Sequence, residues 1–102
     1  MSVSERVLRV LDPNALSTRD LEFRLRRASL SRPGSALRLR QREGGSWEAA
    51  FTIVPGHPVR NGRDLPTWIA VEETSQREAL VALWDLIDQR PEFEQLRRIR
   101  DR

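Results

Sequence analysis

The sequence predicts a single α+β domain: an antiparallel sheet of three or four strands, covered on one face by an amphipathic helix, with short helices at both ends. Three observations predict it. Residues 74–90 carry an apolar stripe of helical period behind a capping signal. Residues 37–53 hold two runs that alternate apolar and polar on either side of Gly44-Gly45. Residues 67–72 supply a further short run, with Ile69 and Val71 for a core face. A chain of 102 residues can bury one modest core but not two, and 38% hydrophobic residues are enough to fold it.

Residues 2–11 are expected to be helical, because Ser2 and Glu5 have capping-box spacing and Val3, Val7, Leu8 and Leu11 share a face. Asp12-Pro13-Asn14 ends that helix in a turn. Residues 20–28 admit two readings. The pairs Asp20/Arg24 and Glu22/Arg26 have helical spacing, whereas Leu21, Phe23 and Leu25 alternate with charged residues as in a strand. The alternation favours a strand, since a helix would part Phe23 from Leu21 and Leu25. Pro33-Gly34 then suits a turn.

Leu37 and Leu39 face the core while Arg38, Arg40 and Arg42 face out. In the next run Trp47, Ala49, Phe51 and Ile53 share one face, opposite Glu48, Ala50 and Thr52. Both apolar sets are odd-numbered, and residues directly opposed in an antiparallel pair share a face. The connecting loop must therefore have odd length, most simply three residues with a glycine in a left-handed bulge. That register puts Glu48 beside Arg40 or Arg42.

Residues 55–66 hold three prolines, two glycines and the single histidine, His57, and read as a long surface loop. In residues 67–72 the preferred phase sends Ile69 and Val71 inward and Trp68 and Ala70 outward, and the opposite phase fits the pattern nearly as well. The helix over 74–90 follows from Ser75 and Glu78 as its cap and from Ala79, Leu80, Leu83, Trp84 and Ile87 as its stripe. Pro91 stops it and suits the first position of a short basic final helix over 91–102, anchored by Phe93 with Leu96 or Ile99.

The chain contains no lysine; all 18 basic residues are arginine. The sequence pI of 11.1 exaggerates its basicity, because without Lys, Tyr or Cys little titrates at high pH and the net charge is only +3. The distribution is more telling. Residues 1–42 carry ten Arg against four carboxylates, a net +6; residues 43–96 carry four against ten, a net −6; residues 97–102 add +3. Such asymmetry suggests an anionic partner for one end.

Catalytic motifs are sparse. There is no cysteine, so neither thiol chemistry nor a thiolate metal site is available. His57 stands alone between prolines, no serine sits in a nucleophile elbow, and Gly44-Gly45 opens onto a strand rather than a phosphate-binding helix. Neighbouring carboxylates such as Asp85 and Asp88 read as a solvated helix face. No enzymatic activity, metal or cofactor is expected. No apolar run is long enough to span a bilayer and residues 1–11 are too charged for a signal peptide, so the expectation is a cytoplasmic protein without membrane contact.

The strongest functional signal is the arginine set. If residues 21–28 and 37–42 share a sheet, Arg24, Arg26, Arg38, Arg40 and Arg42 emerge on its outer face, and an outward Trp68 would add a stacking platform. The expected function is non-enzymatic binding to nucleic-acid backbone. The alternative is a protein-interaction module, adaptor, inhibitor or self-associating homodimer, using Trp68 and the surrounding arginines. The order helix, strands, helix is similar in topology to double-stranded-RNA-binding domains and to the small sheet-plus-helix domains of phage integrases. The basic start of the final helix that the RNA-binding family leads one to expect is replaced here by Glu72-Glu73, and no residue role is carried over.

Overall fold

In the computed structural model the described residues are 11–31, 36–53 and 67–102; of residues 52, 53, 67, 68 and 92 only the backbone is described. The elements run α1 (Thr18–Ser29), β1 (Ala36–Gln41), β2 (Trp47–Ile53), β3 (Thr67–Glu73), α2 (Gln76–Asp88) and α3 (Glu94–Asp101). The expected helix over residues 1–12, the turn at 32–34 and the loop at 55–66 with His57 lie outside the described residues, save Leu11 and Asp12. The turn expected at Asp12-Pro13-Asn14 is a 3-10 turn at Pro13–Ala15 that Asp12 caps, accepting from the Asn14 amide.

The strands form one antiparallel sheet in the order β1-β2-β3, with Leu37 opposite Phe51 and Phe51 opposite Ile69. The hairpin closes as its parity requires. The Arg42 amide donates to Ser46 O, and the Gly45 amide donates to Arg42 O across a three-residue loop. Gly45 has φ +93°, a region that side chains with a Cβ avoid.

The helix at residues 76–88 starts as its sequence predicts. Ser75 Oγ accepts from the Glu78 amide, and Glu78 Oε1 accepts from the hydroxyls of Thr74 and Ser75. Its stripe of Ala79, Leu80, Leu83, Trp84 and Ile87 is buried against Leu37, Ala49, Phe51 and Ile69 of the sheet. Each large side chain so buried contributes roughly 1.5–3 kcal/mol before chain entropy is subtracted. Phe93 and Leu96 seal the end of the core, as expected of the final helix.

Residues 20–28 are helical, not a strand, so the sheet begins at Ala36 and has three strands. Ser17 caps α1 by accepting from the Asp20 amide, and Arg26 pairs with Glu22 one turn earlier at 2.8 Å. Leu21, Leu25 and Ala28, spaced four and three apart, are fully buried. The strand reading assumed that Phe23 also needed the core. The helix satisfies three apolar residues, its cap and its ion pair together, and leaves Phe23 outside at 62% exposure.

Candidate interaction surfaces

Two surfaces concentrate the arginines, and they differ in what the guanidiniums meet. The first is the outer face of the hairpin. Arg38, Arg40 and Arg42 stand on alternate positions of β1 and its loop, and Glu48 projects among them from β2, its Cα opposite that of Arg40. All three converge on the one carboxylate: Arg40 Nε lies 2.9 Å and Arg38 Nη2 3.2 Å from Oε1, and Arg42 Nη1 lies 3.1 Å from Oε2. The Glu48 side chain is only 11% exposed, while the arginine side chains are 42–51% exposed. Burial of Glu48 acts to raise its pKa. The positive field of Arg40 and Arg38, the Arg40 hydrogen bond and the field of Arg42 together outweigh it and hold the carboxyl below the usual range. Glu72 pairs with Glu48 across the next ladder and accepts from Ser46 Oγ. The face is therefore a mixed one of three guanidiniums and two carboxylates.

Arg24 and Arg26 do not join it, because α1 carries them to the other side of the chain's connectivity. Arg24 Nη1 donates to Arg100 O at 3.0 Å and to Arg102 O at 2.8 Å; Arg27 Nη2 donates to Ile99 O at 2.8 Å and Arg102 O at 2.9 Å. These acceptors lie at the end of α3, where the helix dipole favours cations. Arg97 does the same for α2, donating to Ile87 O and Arg90 O. Arg100 is enclosed. It stacks 4.0 Å from the Trp84 ring centroid, donates to Trp84 O, and pairs with Asp88 at 2.6 Å and Asp101 at 2.8 Å. None of these roles was foreseen. Their partners lie as many as 78 residues away, beyond any local spacing rule.

The second surface is the groove between α1 and α3. Phe23, Leu30 and Ile99 line it, and Arg26, Arg27 and Arg102 border it, around a volume of about 510 Å³. Phe23 and Leu30 (68% exposed) are the large hydrophobic side chains left in solvent among the described residues. The Arg27 guanidinium stands 5.7 Å from the Phe23 ring centroid, so the aromatic is flanked by charge rather than covered. Sequence reasoning identified Arg26 but missed this groove. Its signal was the spacing Phe23, Arg26, Arg27, Leu30, which becomes a helix face once α1 is a helix.

Trp68 pairs with Thr52 in the β2–β3 ladder, and its side chain lies outside the described residues. Among the described residues no group of three or more His, Asp or Glu could hold a metal ion, and no helix is long and apolar enough to cross a membrane. No family model, curated protein or solved structure matches the chain. Fold and surfaces together define a small α+β domain with one mixed-charge sheet face and one apolar groove bordered by arginine.

Proposed function

We propose that this chain is a small protein-recognition module that binds its partner through the face of α1 bordering α3. The observation that carries the reading is the pair Phe23 and Leu30, exposed on one helix face among arginines. Leaving two large apolar side chains in water has a use when a partner covers them, and aromatic residues with neighbouring Arg are the types enriched at the centre of protein interfaces.

Nucleic-acid binding is the weaker reading. Arg24 donates to helix carbonyls and Arg26 stands on α1 rather than on a strand, so five arginines on one sheet face become three. Those three share Glu48 and have Glu72 close by. Glu73 and Glu78 line one depression where α2 begins, and their charge repels a phosphate backbone.

The test is a photo-crosslinking phenylalanine analogue placed at position 23, and in a second variant at position 40, in cells that make the chain. A discrete protein adduct from position 23 that survives nuclease is the expected result. Adducts formed only from position 40 and lost on nuclease treatment would overturn the reading in favour of nucleic acid.

A further inference from the structure

The geometry points to an acidic amphipathic helix of a partner protein as the occupant of the α1–α3 groove, an inference that rests on the recognition reading above. Phe23, Arg26, Arg27 and Leu30 stand at i, i+3, i+4 and i+7, so the two apolar anchors lie roughly 10 Å apart along the axis on one side of α1. Ile99, from the helix packed alongside, supplies the floor between them, and Arg102 and Ser31 close one end. A valley between two packed helices, with apolar knobs at that spacing, matches the ridge of a third helix bearing anchors at i, i+3 or i+4, and i+7.

The sign of the partner's charge follows from the lining. Arg26, Arg27 and Arg102 border the groove, and among the described residues no Asp or Glu lines it. Arg26 is held only by an exposed pair with Glu22, an interaction that contributes little and can be shared with an incoming acid. Arg27 Nε is enclosed and has no acceptor among the described residues, although Nη2 of the same group donates to two carbonyls. A helix with Asp or Glu flanking its apolar anchors meets this field, and one with Lys or Arg is repelled by it.

A second copy of the chain is a poorer occupant. Its own acidic helix face, Glu78, Val81, Ala82 and Asp85 on α2, repeats the same spacing. Yet the Glu78 carboxylate already accepts from Thr74 and Ser75, Arg77 lines the same depression, and Asp85 has partners within the fold. Arg77 on that face would meet the groove's own arginines, which leaves a foreign helix without basic residues as the better electrostatic match.

A phage-displayed library on a helical scaffold, selected against the full chain, tests this without a known ligand. Enriched peptides should carry net negative charge and large apolar residues at i, i+3 or i+4, and i+7. They should lose about tenfold or more in affinity for Phe23→Ala or Leu30→Ala, variants whose thermal unfolding stays like that of the parent because both side chains are exposed. The inference is overturned by failure to enrich, by basic or non-helical winners, or by winners indifferent to both substitutions. A synthetic peptide of residues 76–88 that binds as tightly as the winners would also overturn it, in favour of self-association. So would displacement of the winners by a short single-stranded oligonucleotide. A nuclease-resistant adduct at position 23 without any acidic helical winner would leave the recognition reading standing and remove only this class of partner.

Discussion

The helical corner and the hairpin use the same residue for opposite ends. In the corner, Arg24, Arg27 and Arg97 spend their donors on backbone carbonyls at the ends of α2 and α3, and the buried Arg100 divides its own between the Trp84 carbonyl and the carboxylates of Asp88 and Asp101. On the hairpin, Arg38, Arg40 and Arg42 stay largely in solvent and share the one shielded carboxylate of Glu48. Carbonyl acceptors hold the guanidiniums of Arg24, Arg27 and Arg97 without neutralising them, whereas Arg100 also pairs with Asp88 and Asp101. A shared carboxylate partly neutralises its neighbours and leaves them about half exposed. The number of arginines on a surface is therefore a poor guide to what it binds; the nature of their acceptors is a better one.

The sharpest way to break the comparison is at Arg100. Arg100→Ala should destabilise the domain by about 3 kcal/mol, since it leaves Asp88 and Asp101 beside an emptied site against Trp84. Urea unfolding followed by Trp fluorescence reads it, and a loss near that of an exposed ion pair would mean that Arg100 does not hold the corner together. Glu48→Gln should cost less, on the order of 1–2 kcal/mol at neutral pH, because the three guanidiniums it abandons can turn to water. The pH dependence follows from the depressed pKa. A carboxylate with a lowered folded pKa stabilises fully above its unfolded value and loses that contribution as pH falls through the folded one. The parent should thus weaken more steeply than the Gln variant below about pH 4.3, and the two should run parallel above it. Parallel acid limbs would show that Glu48 is not the hub of the hairpin face. The smallest effect on stability belongs to Phe23→Ala and Leu30→Ala, within roughly 0.5 kcal/mol of the parent by thermal melting. A large loss there would mean that α1 needs those side chains to fold rather than to bind.

The same two regions mark how far the sequence was legible. The hairpin register, its three-residue loop and the place of Glu48 beside Arg40 follow from side-chain parity, and the cap of α2 from a spacing of three, because each is decided within a few residues. Residues 18–29 were misjudged because Leu21, Phe23 and Leu25 also fit an alternating pattern. Only tertiary packing decides that Phe23 is dispensable to the core. Ser17 and Asp20, with Glu22 and Arg26, were the local signs of a helix. The arginine caps could not be read, since their acceptors are carbonyls that any residue supplies.

The bonds from Arg24 and Arg27 to the carbonyls of residues 99, 100 and 102 clasp the earliest described helix to the latest one. A protease cut just before Ile99 would therefore be felt at Leu21 and Leu25, far upstream in the polypeptide. Amide exchange in α1 should quicken after such a cut while the β2–β3 ladder keeps its protection.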